Sequence, residues 1–405
     1  MFPFPFMKKR AIWSYALLCL IFVQGCDLFN QEPELRGTIV SQTKIKSNSR
    51  DEVNAAFAAN LPLATASYGV DTYKIIYNTI DPAGNPTTAS GIVQIPTGTS
   101  IKGFTMLAEL HGTVTRDADV PSRSSFYQVL TAVYASTGYI TVAPDYLGLG
   151  DSTYPLHPFV QYKPTVTATV DLMRAAKKLC AELNLKLNGK VLVSGYSQGG
   201  YSAMAVHKGL ESDYSKEFEV IGSTPMAGPY SLSGVSANMI LSGNTHPNPF
   251  YFAYVMLAYN QVYQYATSAS GILKSPYDTT IPPMFNRNTS GSAINGALPT
   301  IPINMLNTTF EQDFRNNANN GLRKALAEND LVNWHPKAPI HLFHCGGDVD
   351  VPITNSQMAY EQLKANGAQI EFTIPSQTAT HGGCFVPSFM ASKVWLDTQL
   401  AKIGS

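Results

Sequence analysis

The sequence predicts a large α/β protein with a mostly parallel sheet and helices on both of its faces. Three observations carry this prediction. Short apolar runs typical of strands alternate with segments of helical periodicity along most of the 405-residue chain. The hydrophobic content of 44% is ample for a large core. The apolar run 191–193 passes through a glycine-rich turn into a helical pattern, as at the carboxyl end of a buried parallel strand.

That turn, Gly195-Tyr196-Ser197-Gln198-Gly199, matches the pattern G-x-S-x-G. A serine in this position stands on a sharp strand-to-helix turn, where only small neighbours tolerate the strained backbone. The helix that follows directs free N–H groups and the positive end of its dipole at any oxyanion formed beside the serine. Ser197 is therefore the predicted nucleophile, although the five-residue pattern alone also occurs in ordinary turns.

The other elements follow from periodicity and turn signals. Before the nucleophile we predict a helix at 51–60, an antiparallel hairpin at a sheet edge (73–78 and 89–95), a central strand at 104–110, a helix at 125–137, a strand at 139–143 and a helix at 165–183. After it we predict a strand at 220–226, an aromatic-rich stretch without strand–helix alternation at 231–334, strands at 339–345 and 369–374, and a final helix at 388–400.

A structureless loop as long as 231–334 is uncommon inside a compact domain. We therefore interpret this stretch as a helical cap inserted before the strand at 339–345. Residues 51–230 and 335–405 are then the core.

Hydrolysis by a serine needs a base that takes its proton and an acid that orients the base. Asp348 and His381 each fall just after a predicted strand, so the three residues follow one another in the order serine, acid, histidine. Asp348 precedes a Val-Pro pair in a D-x-x-V-P arrangement, and Asp350 is the alternative acid. The base position is not matched by the histidines that precede the acid, which include His111, His157, His207, His341 and His344.

This order of catalytic residues resembles the α/β-hydrolase superfamily. Three further features are similar to secretory lipases and related lipoprotein esterases: the turn Asp145-Tyr146-Leu147-Gly148, the pair His157-Pro158, and the large cap. The resemblance implies an α/β-hydrolase fold and carboxylic-ester hydrolysis through an acyl-enzyme, on a small-molecule or lipid ester, with neither a metal nor an organic cofactor.

The resemblance also implies an oxyanion hole. One N–H comes from the residue after the nucleophile, here Gln198. The second comes from the loop after the central strand, where Thr113 and Gly112 are both candidates.

Other functions remain open at this stage. An acyltransferase or a peptidase would use the same triad, and a lipid-anchored binding protein without activity is the non-enzymatic alternative. Basic and acidic residues both number 28 without a basic cluster in the body of the chain, which argues against binding to nucleic acid.

The amino terminus is typical of a targeting segment. Three basic residues precede the apolar run 11–23, which is too short to span a bilayer but suits a signal peptide covering residues 1–25. The ending Val23-Gln24-Gly25-Cys26 resembles the lipobox of bacterial lipoproteins, with Gln24 departing from the usual small or apolar residue. We expect a lipid anchor on Cys26, a polar tether over 26–50 and a place in the bacterial cell envelope. The alternative is a secreted soluble protein.

Cysteine positions predict one disulfide. Cys345 lies three residues before the proposed acid, and Cys384 lies three residues after the proposed base. The two loops lie side by side if the triad forms, and export permits oxidation. We therefore expect a bond between these two cysteines.

The aromatic run of the cap predicts the acyl preference. It contains Phe250, Tyr251, Phe252, Tyr254, Tyr259, Tyr263 and Tyr265. Most of these side chains fit the core of the cap, and a few that face the nucleophile would form one wall of an acyl pocket. That wall favours medium-chain acyl groups over acetyl.

Overall fold

The computed structural model describes residues 35–403, together with Met1 and Pro3. Within this part of the chain nine strands form one sheet: β1 (Ile39–Asn48), β2 (Gly69–Ile80), β3 (Pro86–Thr97), β4 (Phe104–Leu110), β5 (Ile140–Pro144), β6 (Leu187–Tyr196), β7 (Glu219–Met226), β8 (Ile340–Phe343) and β9 (Ile370–Thr373). Their order is β1-β2-β3-β5-β4-β6-β7-β8-β9. The strands from β5 to β9 in this order pair in parallel, whereas β1, β2 and β3 pair antiparallel.

The helices in the described residues are α1 (Arg50–Asn60), α2 (Ser125–Ala135), α3 (Tyr162–Glu182), α4 (Gln198–Ser212), α5 (Ala237–Leu241), α6 (Phe250–Tyr263), α7 (Tyr277–Thr280), α8 (Gly291–Gly296), α9 (Thr308–Asn316), α10 (Gly321–Glu328), α11 (Thr354–Ala365) and α12 (His381–Ile403). None of these helices combines the length and the apolarity needed to cross a bilayer.

The core lies on both faces of the sheet. Successive side chains of a strand point to opposite faces, and in the fully buried strand β4 Met106 packs with α3 and α4 while Leu107 packs with α1, α2 and α12. A parallel strand covered by helices on both faces has no polar side, which explains its continuous apolar sequence. The predicted α/β architecture with a mostly parallel sheet is confirmed.

The amino-terminal part departs from the prediction. Residues 39–48, assigned to the polar tether, form β1, which pairs with β2 and is itself the edge of the sheet. The hairpin of β2 and β3 is therefore not at the edge. Because most side chains of β1 are exposed, backbone pairing rather than burial holds the strand, and its sequence carries no hydrophobic alternation. The predicted signal peptide, the lipidation site Cys26 and the start of the tether lie outside the described residues, Met1 and Pro3 excepted.

Two helices near the carboxyl terminus were also misjudged. The periodicity predicts no helix where α11 lies, and the final helix begins at His381 instead of residue 388. Gly382, Gly383 and Pro387 stand in its first turns, and these residue types ordinarily interrupt helices.

Residues 231–334, between β7 and β8, contain helices α5 to α10 and no strand of the sheet among them. Their aromatic and aliphatic side chains join the same core as α3 and α4. This inserted segment therefore shares a hydrophobic core with the sheet domain.

Candidate active site

The nucleophile turn joins β6 to α4. Ser197 has φ 62° and ψ −122°, in a region that L-residues rarely adopt, and its N–H donates to the carbonyl of Met226 at 2.9 Å. The chain packs tightly here, because a Cβ on Gly199 would lie 1.9 Å from the carbonyl oxygen of Leu110. Glycine at this position lets the backbones approach and hold the serine in its strained conformation.

Ser197, His381 and Asp348 form one continuous chain of hydrogen bonds. The distance from Ser197 Oγ to His381 Nε2 is 2.8 Å, and from His381 Nδ1 to Asp348 Oδ2 it is 2.5 Å. Because a carboxylate only accepts, Nδ1 carries the proton and Nε2 is free to accept the serine hydroxyl. The three residues that the sequence singled out are thus brought together in the geometry of a nucleophile, a base and an orienting acid.

The carboxylate of Asp348 is held at both oxygens. Oδ1 accepts the N–H groups of Asp350 at 3.0 Å and Val351 at 2.9 Å, and Oδ2 accepts His344 at 3.1 Å in addition to His381. Burial alone would raise the pKa of Asp348, but hydrogen bonds from His344 and His381 lower this pKa to about 2. The carboxylate is therefore ionised and fixed in orientation at neutral pH.

His344 was not assigned a role by sequence reasoning. Its Nε2 also lies 2.8 Å from the carbonyl of Val351, so Nε2 carries the proton, while Nδ1 accepts the hydroxyl of Ser356 at 2.7 Å. Its position four residues before the acid could have suggested proximity, but not which atoms meet.

Asp350, the alternative acid, is bonded to residues other than the base. Its side chain accepts a hydrogen bond from Asn248 Nδ2, and its carbonyl oxygen lies 3.1 Å from His246 Nε2. Both partners belong to the inserted segment. The structure therefore places Asp348 against His381 and uses Asp350 to attach the inserted segment to the acid loop.

The predicted oxyanion residues lie beside the nucleophile. Gln198 is the first residue of α4, so its N–H has no partner within the helix, and Gln198 and Thr113 line the same cavity as Ser197. Gly112 does not line this cavity, and its carbonyl oxygen lies 2.7 Å from His111 Nδ1.

His157 fixes the side chain of Gln198. The His157 Nδ1 donates to the carbonyl of Leu147 at 2.8 Å, so its Nε2 accepts the amide of Gln198 at 2.6 Å. Burial lowers the pKa of His157 to about 3, which keeps the ring neutral and this tautomer in place. The sequence marked His157 only through a resemblance, and its contact with Gln198 was missed.

The loop of residues 111–119, here called the oxyanion loop, is attached to the inserted segment. Arg287 Nε donates to Asp117 Oδ1 at 2.9 Å, and the N–H of Asp117 donates to the carbonyl of Arg287 at 2.9 Å. Thr115 Oγ1 donates to the carbonyl of Thr289 at 2.8 Å. Arg287 has φ 68°, so its own backbone is strained where these bonds form.

Cys345 and Cys384 form a disulfide with a Cα–Cα distance of 5.8 Å. It joins the acid loop to the first turn of α12, which begins at the base. Cys180 is a buried free thiol, and burial raises its pKa to about 12.

A cavity opens at Ser197, and we call it the inner cavity. The space between its walls and mouth is about 650 Å³. Nearly half of its lining residues belong to the inserted segment, and its walls are mostly apolar, including Leu232, Ala237, Ile240, Tyr251, Phe252 and Val255. Of the aromatic run on and after α6, Tyr251 and Phe252 line this cavity; Tyr254 stacks on Phe159 at 4.5 Å and serves the core.

Among the residues that the structure describes, no group of three or more His, Cys, Asp or Glu side chains is arranged to hold a metal ion. The sheet order and the serine–histidine–aspartate site together define an α/β-hydrolase.

A sequence model of one family within this class, the secretory lipases, matches residues 126–402, which is more than half of the chain. The chain belongs to this secretory lipase family. It is similar to Lipase 4 of Candida albicans, with 27% identity over 260 residues that cover 62% of this chain and 53% of that protein. It is also similar to the secreted triacylglycerol lipase LIP5 of Malassezia furfur, with 24% identity over 61% of this chain and 62% of that protein. The chain thus spans about half to three fifths of the length of the curated relatives it matches.

Solved structures extend the likeness over nearly the whole chain. The rice cell wall degrading esterase LipA of Xanthomonas oryzae has a TM-score of 0.80 and 30% identity, covering 91% of this chain and 99% of that chain. Lipase A of Candida antarctica in its closed state has a TM-score of 0.68 at 17% identity, covering 91% of this chain and 83% of that chain, which is a likeness of fold alone.

Proposed function

We propose that this chain hydrolyses carboxylic esters through an acyl-enzyme on Ser197. The observation that carries the proposal is the unbroken hydrogen-bond chain from Ser197 through His381 to Asp348, at the mouth of an apolar cavity. Membership of the secretory lipase family and the likeness to an esterase support the same reaction.

Each residue has one task. His381 Nε2 takes the proton of Ser197 as Oγ attacks the ester carbonyl, and Asp348 stabilises the imidazolium that forms. The same proton then passes to the alkoxide oxygen as the carbon–oxygen bond breaks, which leaves the acyl group on Ser197. Water then attacks the acyl-enzyme while His381 takes its proton, and the proton returns to Ser197 Oγ as the acid is released.

Of the two candidates for the second oxyanion donor, we assign Thr113 rather than Gly112. Thr113 lines the cavity with Ser197, whereas Gly112 is not among the lining residues. With the N–H of Gln198 it forms a pair of donors aimed at the developing oxyanion. Removing one such donor typically costs about 10² to 10³ in kcat.

The inserted segment acts as a cap, and the inner cavity beneath it binds the acyl chain. Its apolar walls favour medium-length chains, because each buried methylene contributes about 0.8 kcal/mol. Two or three carbons beyond acetyl therefore raise kcat/KM by about one to two orders of magnitude until the cavity is full. Measuring kcat/KM for acetyl, butyryl, hexanoyl, octanoyl and palmitoyl esters tests this, and a steady decline from acetyl upward contradicts it.

Export and anchoring through a lipid on Cys26 belong to the same proposal, supported by the basic and apolar start of the chain and by the secreted relatives. Labelling of the expressed full chain with an alkyne fatty acid should be lost in Cys26→Ala. Equal labelling of both forms contradicts a lipid at this site.

The decisive experiment compares two serines of the same cavity. Ser197→Ala should abolish ester turnover and labelling by a fluorophosphonate without unfolding the protein, because little packing is lost. Ser236 also lines the inner cavity, and Ser236→Ala should retain both. Labelling of Ser197→Ala, or turnover near that of the wild type, would refute the assignment. An added alcohol that takes up most of the acyl groups would identify an acyltransferase.

A further inference from the structure

A second cavity lies beside Tyr196, the residue before the nucleophile. This side cavity, with its open mouth included, measures about 450 Å³ and is lined by the rings of Phe126, Tyr127, Tyr196 and Phe385 and by Leu130, with Glu109 among its walls. Its walls come from the end of β4, the start of α2, the end of β6 and the first turns of α12. None of its lining residues belongs to the inserted segment.

The side cavity lies next to the triad through two of its lining residues, Tyr196 and Gly112. Tyr196 precedes the nucleophile, and its hydroxyl donates to the carbonyl of His381 at 2.6 Å. The Tyr196 ring lies between those of His381 and Phe385, with centroid distances of 5.1 and 5.2 Å. A Cβ on Gly112, which also lines this cavity, would lie 3.8 Å from Ser197 Cβ.

An ester has two arms, and the reaction separates them. The acyl arm stays on Ser197, whereas the alcohol oxygen must lie on the His381 side to receive its proton. Ser197 lines the inner cavity, and the side cavity is built around the ring of Tyr196, which packs against His381. We infer that the side cavity is the subsite for the alcohol arm of the substrate and that it takes uncharged aromatic alcohols. This inference rests on the proposed esterase function.

The walls specify the chemistry of this arm. Four aromatic rings offer faces and edges against which another ring packs. Phe126 at the mouth is 45% exposed, so an aromatic alcohol would cover apolar surface that is now open to water. Burial raises the pKa of Glu109 to about 8, so the wall carries no charge at neutral pH, and a cationic or anionic alcohol gains no ion pair there.

The test holds the acyl group constant and varies the alcohol. Ethyl, cyclohexylmethyl and benzyl butyrates pass through the same butyryl-enzyme, so differences in kcat/KM report only binding and departure of the alcohol. The wild type should prefer benzyl butyrate over ethyl butyrate. In Phe385→Ala and, separately, in the more exposed Phe126→Ala, this preference should fall about tenfold, with the hexanoyl-to-butyryl preference unchanged.

Two controls separate the subsites. Val386 follows Phe385 on α12 but is 41% exposed and lines neither cavity, so Val386→Ala should change neither preference. Val255 lines the inner cavity, so Val255→Trp should lower activity on hexanoyl esters while keeping the benzyl-to-ethyl preference.

The outcomes are distinguishable. Loss of the acyl preference in Phe385→Ala, or an unchanged alcohol preference in both phenylalanine variants, overturns the alcohol subsite. Absence of ester turnover in the wild type overturns the proposed function itself.

Discussion

Asn in place of Asp348 tests the triad at the residue that the sequence left ambiguous. The carboxylate accepts two backbone N–H groups at Oδ1 and the N–H groups of His344 and His381 at Oδ2. An amide has one accepting oxygen, so either orientation sets its NH₂ group against two donors. Leaving such buried donors unpaired costs about 1–3 kcal/mol each, so a measurable loss of thermal stability accompanies the change.

The loss of activity should be larger than the loss of stability. Without a carboxylate, His381 adopts the tautomer that cannot take the serine proton, and comparable changes lower kcat about 10⁴-fold, or about 5 kcal/mol in the activation barrier. The assay is kcat on a butyryl ester at a temperature where the variant is folded. Asp350→Asn is the matched control two residues away, and it should keep kcat within about tenfold, because Asp350 contacts Asn248 and not the base. Equal losses in the two variants, or a larger loss in Asp350→Asn, would refute this reasoning.

Three other predictions concern parts of the fold that support the site. Glu109→Gln should flatten the pH dependence of stability. The pKa of Glu109 is about 8 in the folded protein and 4.5 in the free side chain, so the wild type loses about 4 kcal/mol of folding stability as pH rises from 4.5 to 8. Urea unfolding measures this loss, and the same dependence of unfolding free energy on pH in both proteins would contradict the prediction. Replacing Cys345 and Cys384 by Ala opens a loop with a sequence separation of 39, which should lower the free energy of unfolding by about 4 kcal/mol. Denaturant titrations without reductant measure this difference, and a change below about 1 kcal/mol would argue against the bond. Arg287→Ala should lower kcat more than it raises KM, because the bonds of Arg287 hold the oxyanion loop, and Arg287→Lys should restore part of the activity. Arg323→Ala is the control and should leave kcat unchanged, because Arg323 bonds to Phe314 and Arg315 within the inserted segment. Equal effects of the two alanine variants on kcat would indicate a merely structural role for Arg287.

The main architecture could be predicted because short stretches of the sequence, each with its own pattern of apolar residues, indicate its strands and helices. The strands at the centre of the sheet are buried on both faces, so their continuous apolar runs stand out from the helices between them. The edge strand β1 was missed for the opposite reason, since its exposed side chains follow no hydrophobic pattern and only backbone pairing with β2 holds it in the sheet. The start of α12 was missed because glycines and a proline in its first turns masked it.

The sequence by itself was enough to predict the nucleophile and the order of the proposed triad. The nucleophile turn is local, because a strand, a serine between glycines and a helix follow one another within a few residues, and no distant contact is needed to recognise them. The positions of Asp348 and His381 just after predicted strands follow from the same local reading.

Tertiary structure decided what depends on distant contacts. In the folded chain Asp348 is hydrogen-bonded to His381, whereas Asp350, only two residues away, is hydrogen-bonded to Asn248 of the inserted segment. Tertiary structure also placed His344 against the acid and His157 against Gln198, and it selected which aromatic rings line a cavity and which pack in the core. These choices depend on side chains far apart in the sequence, such as Asn248 and Asp350 at a separation of 102, and only the folded chain brings them together.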